Sequence, residues 1–168
     1  VMPILNNYLI KNYNIVLKNN KIVNIFATDD GLLLQTQYSG FYKLIGGNVV
    51  KFATEVDSEI ASSSVYSSQQ LSDKGFAIGT VSNGIFVVSA EGKKKYHITQ
   101  NKGLSNNTAL SLFEDVDKNL WIGLDNGINC INLNSPINSY IDNTGILGAI
   151  YASATHNNKL YIGTNQGL

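Results

Sequence analysis

Residues Asn119-Leu120-Trp121-Ile122-Gly123-Leu124-Asp125-Asn126-Gly127-Ile128 contain the pattern that decides the fold of this chain. The pattern is an apolar-rich strand, a Gly-Thr pair or a variant of it, a few mostly polar residues, then a second glycine and an apolar residue. It occurs four times: Leu33-Leu34-Gln35-Thr36 with Gly40-Phe41, Ala77-Ile78-Gly79-Thr80 with Gly84-Ile85, Trp121-Ile122-Gly123-Leu124 with Gly127-Ile128, and Tyr161-Ile162-Gly163-Thr164 with Gly167-Leu168. The second glycines are 44, 43 and 40 residues apart, which indicates a repeat protein.

A period in the low forties fits the four-stranded blades of a β-propeller and exceeds the shorter solenoid repeats. Helical repeats of similar length are disfavoured, because no window keeps a helical period and turn residues recur about every 8–12 residues. The predicted strands are residues 22–27, 32–36, 40–45, 49–53, 64–71, 76–80, 84–89, 95–99, 108–114, 119–124, 127–132, 136–141, 149–156 and 159–164.

The predicted fold is therefore all-β, a partial β-propeller of four-stranded antiparallel blades. Residues 1–168 form a fragment of one propeller domain, about three and a half blades long. The predicted blades are residues 22–54, 62–99 and 103–141, with an incomplete blade at 147–168, and residues 1–21 are a preceding-blade or closure segment. Such a fragment is expected to expose blade faces that a full ring would bury, and hence to associate or to be stable only with its missing neighbours.

The glycines that recur in register have a predicted mechanical role. Gly79, Gly123 and Gly163 would let the neighbouring blade approach closely, where a larger side chain would collide with it. The second glycine of each copy from Gly84 onward follows polar residues and would supply a positive φ in a hairpin.

Four apolar residues share one position of the repeat. They are Leu33, Ala77, Trp121 and Tyr161, and we expect all of them to pack between adjacent blades. Trp121 is accordingly interpreted as a core residue and not as a ligand platform.

The composition excludes several other classes of protein. Apolar residues make up 43% and charged residues 14%, which argues against a disordered chain and against a helical bundle. Twelve basic and 12 acidic residues give no net charge, so nucleic-acid binding is not expected. No apolar run is long enough to span a bilayer, so this segment is predicted not to contact a membrane, and no signal peptide is visible.

The third repeat resembles a known family more specifically. Its runs Gly103-Leu104-Ser105-Asn106-Asn107-Thr108, Leu110-Ser111-Leu112-Phe113-Glu114-Asp115 and Asn119 to Ile128 are similar to the two-component-regulator propeller repeat, whose pattern is G-L-S-N-N, an apolar strand and D-x-D-G-N-L-W-I-G-T-x-x-G-L. Lys118 and Leu124 depart from the Gly and Thr that the family favours, and neither change threatens the fold.

The resemblance implies a sensor. Propellers of this family form the periplasmic part of inner-membrane regulators, followed by a triple-tyrosine domain, a transmembrane helix and a cytoplasmic output. The output is a hybrid histidine kinase or a LuxR-type helix-turn-helix, and both alternatives stay open. Ligands in the kinase branch are often oligosaccharides or their breakdown products, so the resemblance also implies an oligosaccharide as candidate ligand and a homodimeric parent.

One stretch imitates a metal site. Asp115-Val116-Asp117-Lys118-Asn119 resembles the start of a calcium loop, but Leu120 and Asn126 occupy the positions where an EF-hand needs Gly and Glu. We interpret it as an acidic hairpin turn. Asp29-Asp30-Gly31 at the equivalent turn of the first blade supports this interpretation.

Other reactive residues have simpler interpretations. His97 and His156 lie in different blades and are predicted to be surface or edge histidines, not metal ligands. Cys130 allows no internal disulfide and is expected to be a buried, inert thiol. Lys93-Lys94-Lys95 is expected at a solvated hairpin tip, and Asn106-Asn107-Thr108 is expected to hold an interblade turn.

No catalytic, cofactor or metal site is predicted. Glu55, Asp57 and Glu59 cluster in one interblade connection, which is interpreted as a solvated loop. The sequence contains no nucleophile elbow, phosphate loop, dinucleotide fingerprint or zinc-binding pair.

The leading hypothesis is extracytoplasmic ligand sensing at the mouth of the channel, where loops of several blades converge. The candidate contributors are residues 102–107 and 142–145 and the turns Asp125-Asn126 and Asn165-Gln166, among which the sequence does not choose. Partners would include the remaining blades of the same propeller. The alternatives are a protein-docking scaffold and, less favoured, a propeller glycosidase or lyase.

Overall fold

The computed structural model of the chain describes residue 17 and residues 20–135 and 145–167. Most of the predicted segment 1–21, the predicted outer strand at residues 136–141 and most of the loop 142–145 lie outside the described residues. The chain divides into two compact units, Val1–Pro136 and Ile137–Leu168, and each is described here by itself.

The described part of the first unit contains three antiparallel sheets whose strands follow chain order. The first sheet comprises β1 (Ile22–Thr28), β2 (Gly31–Thr36), β3 (Phe41–Ile45) and β4 (Asn48–Phe52). The second comprises β5 (Val65–Gln70), β6 (Phe76–Thr80), β7 (Ile85–Val88) and β8 (Lys94–Ile98). The third comprises β9 (Ala109–Glu114), β10 (Asn119–Leu124) and β11 (Gly127–Asn132).

The second unit contains one hairpin, β12 (Ile150–His156) with β13 (Lys159–Thr164). All these strands begin and end within one residue of the predicted positions. The prediction of an all-β propeller fold built from four-stranded antiparallel sheets is confirmed.

The core lies between consecutive sheets, and β6 shows why. This strand is buried along its whole length because other sheets pack against both of its faces. Ile78 belongs to a cluster shared with the first sheet, whereas Ala77 belongs to a cluster shared with the third. Alternating side chains of one strand therefore serve two seams, as the period of two in a β-strand requires.

The connection between the first two sheets contains a short helix, α1 (Asp57–Ser63). The prediction of a solvated loop here is wrong. Val56 and Ile60 are fully buried in the cluster between the first and second sheets. Burial of these two apolar side chains, four residues apart, holds the segment against the sheets as a helix of about two turns.

The acidic residues of this connection are consequently paired. Asp57 lies 2.9 Å from the Lys51 ammonium, and Glu59 lies 3.0 Å from that of Lys94. Hydrogen bonds from the Lys94 ammonium and from the Ser58 hydroxyl hold the pKa of Glu59 below its ordinary value.

The close approach predicted at the repeat glycines occurs at Gly79. A Cβ placed there would lie 2.9 Å from the Ala109 carbonyl oxygen of the next sheet. A serine hydroxyl of the same sheet is the nearest atom both at Gly79 (Ser67) and at Gly123 (Ser111), but only at Gly79 do atoms of the next sheet follow among the three nearest; at Gly163 the nearest atom is Ala152 Cβ at 3.7 Å. The steric reason predicted for all three positions therefore holds at Gly79 within the described residues.

Residues at the shared apolar position differ in burial. Leu33 and Ala77 are buried against the following sheet, as predicted. Trp121 is 43% exposed on the equivalent face of the third sheet, and Cys130 lies opposite it on β11 and is also exposed. The prediction of a buried thiol is wrong, because Cys130 lies on this open face and not on the face packed against the second sheet.

Candidate functional site

The connections between consecutive sheets lie at one end of the first unit, which we call the linker end. There, the residue that follows the second strand of each sheet donates its backbone N–H to the carbonyl just before the first strand. The three bonds run from Gln37 to Lys21 at 2.9 Å, from Val81 to Ser64 at 2.9 Å and from Asp125 to Thr108 at 3.1 Å. A repeated backbone bond thus fixes the turn after the second strand against the start of the first.

Further hydrogen bonds join neighbouring sheets at this end. The Val65 N–H donates to the Gln37 carbonyl at 2.8 Å, and the Thr108 hydroxyl donates to the Val81 carbonyl at 2.6 Å. The linker end of the three sheets is therefore one continuous, hydrogen-bonded surface.

The first strand of every described sheet carries a β-bulge at the same place. The pairing with the second strand slips by one residue directly after the first paired residue, which leaves one residue without a partner. The unpaired residues are Val23, Tyr66, Leu110 and, in the second unit, Tyr151. A bulge bends the strand and changes the direction of the extra side chain, and bulges are enriched next to binding sites.

In the second sheet this geometry exposes an aromatic side chain at the linker end. The bulged Tyr66 is 55% exposed, next to Val65, which is bonded to the turn after β2. That turn carries Tyr38, which is 46% exposed, and the turn after β6 carries Val81, which is 40% exposed. We call the surface formed by Tyr38, Tyr66 and Val81 the linker-end rim.

Two amide side chains beside the rim are held by the last residue of α1 and the residue that follows it. Gln37 Nε2 donates to the Ser64 hydroxyl at 2.9 Å, and Asn83 Nδ2 donates to the Ser63 hydroxyl at 3.2 Å. Gln37 directly precedes Tyr38, Asn83 follows Val81 by two residues, and each amide keeps its carbonyl oxygen as an acceptor. The rim thus combines flat apolar surface with positioned polar groups, the usual composition of a small-molecule site.

The structure assigns structural tasks to several residues of the predicted ligand loops. Asn106 and Asn107 accept backbone N–H groups of Thr108 and Gln100 at 2.8 and 2.7 Å, which confirms that this segment holds an interblade turn. Asp125 and Asn126 are exposed at the linker end.

The remaining predicted loops belong to the second unit. Asn165 accepts a hydrogen bond from the Ala149 N–H, and Gln166 is exposed in the turn after β13. Of the residues 142–145, only Gly145 lies among the described residues. Whether any of these loops binds a ligand stays a prediction.

The acidic motif of the third sheet is a hairpin turn, as predicted. Asp115 Oδ1 accepts the backbone N–H groups of Asp117 and Asn119, both at 2.9 Å. Asp115 Oδ2 accepts the Trp121 indole N–H at 2.8 Å, and this bond holds the pKa of Asp115 below its ordinary value. Among the described residues, no group of three or more His, Cys, Asp or Glu is placed to hold a metal ion.

The lysine run is not at a hairpin tip. Lys94 and Lys95 belong to β8, and Lys95 forms an ion pair with Asp73 at 2.6 Å. This bond holds the pKa of Asp73 below its ordinary value. The lysines are solvent-exposed, as predicted, but Lys94 lies in the strand and not in the turn, because the strand begins one residue earlier than predicted.

His97 lies on β8, the outer strand of the second sheet, as expected of an edge histidine. Its ring stacks on Phe86 with centroids 4.2 Å apart, and Nε2 lies 3.0 Å from the Asn83 carbonyl oxygen. His156 is exposed on β12. Both rings therefore have ordinary structural environments.

Sequence reasoning missed the bulges and so the exposed tyrosine of the rim. A signal was present, because Val23, Tyr66, Leu110 and Tyr151 recur at intervals of 43, 44 and 41 residues. All four are apolar or aromatic, and each falls one residue after the start of the first strand of its sheet.

Residues 103–126 match the model of the family described as two component regulator propeller. No curated protein matches the chain. Within residues 20–135 and 145–167, no helix combines the length and the apolar character that crossing a membrane requires.

Three crystal structures of extracellular domains from B. thetaiotaomicron are similar in fold. Two of them are structures of BT4673. The structure that calls it a putative one component system gives a TM-score of 0.55 at 20% identity, over 87% of this chain and 20% of that chain. The structure that calls it a putative hybrid two component system gives a TM-score of 0.51 at 19% identity, over 67% of this chain and 15% of that chain. The hybrid two component system BT3049 gives 0.55 at 21% identity over 86% and 19%. This chain therefore spans at most a fifth of the length of those domains.

Proposed function

We propose that this chain, which carries a two-component regulator propeller repeat, is part of a ligand-sensing propeller in a membrane-anchored signalling protein. The sensing part lies outside the cytoplasm of a Gram-negative cell, on an inner-membrane parent. The parent transmits the signal to a histidine kinase or a helix-turn-helix output. The extracellular location named for the BT4673 and BT3049 domains supports this placement.

The observation that carries the proposal is the linker-end rim with its bulged tyrosine. A bulge at the same place in four sheets is a built feature of the repeat, and in the second sheet it leaves Tyr66 55% exposed. Exposed aromatic groups beside fixed amides contribute nothing to the core, and their arrangement favours a binding role.

The ligand class that fits the rim best is a carbohydrate. Sugar rings have apolar C–H faces that stack on aromatic rings and hydroxyl edges that bond to amides. Tyr38 and Tyr66 provide the flat surface, and the carbonyl oxygens of Gln37 and Asn83 provide acceptors. An oligosaccharide bound across the seam between the first two sheets would alter how the blades, and the protomers of a dimeric parent, pack together.

A protein-docking scaffold is the second candidate, favoured by the open face of the third sheet. There Phe113 is 62% and Ile128 is 71% exposed beside Trp121. In the first two sheets the equivalent face is covered by the next sheet, so this face is suited to cover by another protein surface, either a blade of the same propeller or a partner protein.

Catalysis is not proposed for this segment. Asp57, Glu59, Asp73 and Asp115 are engaged in ion pairs or turn hydrogen bonds, which supports structural roles for these carboxylates.

The test is a binding measurement on the intact sensor domain of the parent with a panel of oligosaccharides. Tyr66→Ala and Tyr38→Ala are each expected to weaken binding about tenfold or more, as loss of an aromatic anchor does. The matched control is Tyr96→Ala, which removes a tyrosine on β8 that is exposed to the same 46% as Tyr38.

Equal loss in all three variants would show that the rim is not the site. A panel without any binder, together with capture of a protein partner through the same surface, would favour the docking scaffold.

A further inference from the structure

A cleft of about 390 Å³ opens between the first and second sheets at the end opposite the linkers. The β1–β2 turn, the β5–β6 turn and the β7–β8 turn border it through Asp29, Lys74 and Ala90. Its volume is within the range of small-ligand sites, which begins at about 300 Å³. It is separate from the linker-end rim, so an inference about it does not depend on the carbohydrate proposal.

The floor of this cleft is apolar and partly aromatic. Leu33 and Phe76 line it and belong to the buried cluster between the two sheets, at 2% and 3% exposure. Phe52 is half-buried and packs against the same cluster. The cleft is thus an opening in the seam between two sheets, and an apolar group placed in it would continue their core.

Two of the charged side chains at the edge of the cleft form an ion pair with each other. Lys43 Nζ lies 3.6 Å from Asp30 Oδ2 and 5.6 Å from the centre of the Phe52 ring. The Thr28 hydroxyl donates to Asp30 Oδ1 at 2.8 Å, and this bond holds the pKa of Asp30 below its ordinary value. Lys43 and Asp30 therefore neutralise each other and form part of the wall.

Two further charges on the same cleft have no such partner. Neither the Asp29 carboxylate nor the Lys74 ammonium forms an ion pair with any residue of the described part of the chain. Lys74 is presented by the β5–β6 turn in the left-handed conformation, at φ 66°. A free cation and a free anion thus border one apolar floor, on turns from two different sheets.

The seam between the second and third sheets offers an internal comparison. It holds a cleft of about 320 Å³ at the same end, lined by Asp73, Lys95 and Tyr96. There the acid and the base are 2.6 Å apart and satisfy each other. The acid and the base on the lining of this second cleft are therefore already paired with each other. In the first cleft, by contrast, Asp29 and Lys74 form no ion pair within the described part of the chain.

We propose that the cleft between the first two sheets binds a small zwitterion with an apolar side chain, a free amino acid of the phenylalanine or leucine class. The apolar side chain lies on Leu33, Phe52 and Phe76, the α-carboxylate meets Lys74 and the α-ammonium meets Asp29. Each pairing of opposite charges is a charge-assisted hydrogen bond, the strong class among protein hydrogen bonds.

The test is calorimetric titration of the full chain with L-phenylalanine. Two analogues accompany it: 3-phenylpropionate, which lacks the ammonium group, and 2-phenylethylamine, which lacks the carboxylate. We expect L-phenylalanine to bind at least tenfold more tightly than either analogue. We expect Lys74→Gln and Asp29→Asn each to weaken it about tenfold, since each removes one charge-assisted bond.

Lys95→Gln is the matched control, because it removes a lysine from the second cleft, and it is expected to leave binding unchanged. Asp29 and Lys74 are exposed, so their variants are expected to fold, which circular dichroism verifies. Absence of L-phenylalanine binding would overturn the proposal. Affinity that survives both substitutions, or an analogue that binds as tightly as the amino acid, would also overturn it.

Discussion

Replacing Gly79 by alanine tests whether close packing of the second sheet against the third requires a residue without a side chain at this position. Gly79 lies on β6, and its φ is outside the left-handed region, so the backbone itself accepts alanine. The added Cβ would lie 2.9 Å from the Ala109 carbonyl oxygen, 3.0 Å from Ala109 Cβ and 2.5 Å from the Ser67 hydroxyl. The hydroxyl can rotate away, but the atoms of Ala109 belong to the first strand of the next sheet.

The magnitude follows from these distances. Non-bonded carbon atoms are most stable about 3.5–4.0 Å apart, so the two sheets must separate by several tenths of an ångström. Overpacking of this kind costs about 1–3 kcal/mol, offset by at most about 0.8 kcal/mol for the buried methyl group. A net loss of about 1–2 kcal/mol corresponds to a fall in Tm of about 2–8 °C for a chain of this size.

The assay is urea unfolding followed by tryptophan fluorescence and by circular dichroism. Trp121 is the single tryptophan and belongs to the third sheet, so its fluorescence reports on the sheet that contains Ala109. Gly163→Ala is the matched control at the same repeat position, where the nearest atom to a new Cβ is Ala152 Cβ at 3.7 Å. That variant is expected to change stability by less than about 0.5 kcal/mol or to raise it slightly.

The reasoning is refuted if Gly79→Ala unfolds at the wild-type urea concentration. It is equally refuted if Gly163→Ala is as destabilising, because the effect would then belong to the loss of glycine in a strand and not to the approach of the next sheet.

Two further predictions concern the third sheet. Trp121→Phe removes the indole donor to Asp115, so the pKa of that carboxyl should rise toward its ordinary value in a carbon-detected NMR titration, whereas an unchanged pKa would contradict the assignment. A carboxyl whose pKa is lowered in the folded state contributes stability above its unfolded-state pKa, and that contribution is lost as pH falls through the folded-state pKa. The stability difference between Trp121→Phe and wild type should therefore decrease as the pH falls into the acid range. The exposed apolar side chains of this sheet should make the chain self-associate, and Phe113→Ser with Ile128→Ser should reduce the sedimentation-derived association constant, whereas a wild-type chain that stays monomeric at every concentration would contradict this.

The strands could be predicted from the sequence because turn chemistry and strand alternation recur with the repeat. Gly84 illustrates this. It has φ 67°, and its carbonyl accepts both the backbone N–H and the hydroxyl of Thr80, four residues earlier, which closes the turn between β6 and β7. Local rules of this kind fix where strands begin and end without reference to distant residues.

Burial was less predictable because it depends on what packs against a strand. Ala77 and Trp121 occupy the same repeat position, yet one is buried by the next sheet and the other is 43% exposed. Cys130 shares the face of Trp121, and its exposure follows from that face and not from the apolar residues beside it in sequence. The helix α1 was missed for a related reason, since Ile60 within it and Val56 just before it are buried by contacts with two sheets that a local pattern does not contain.

The two candidate sites differ in how they relate to the repeat. The linker-end rim uses a device common to all described sheets, the bulge after the first paired residue, and it becomes a distinct surface where that residue is Tyr66. The cleft at the other end arises where the first sheet departs from the second. Lys43 pairs with Leu33 on the neighbouring strand, whereas the equivalent partner of Ala77 is Val87. Packing between sheets constrains most side chains of the repeat. Ligand specificity can therefore vary only through side chains that do not take part in this packing. Both the linker-end rim and the cleft consist of such side chains together with residues at the edges of the core.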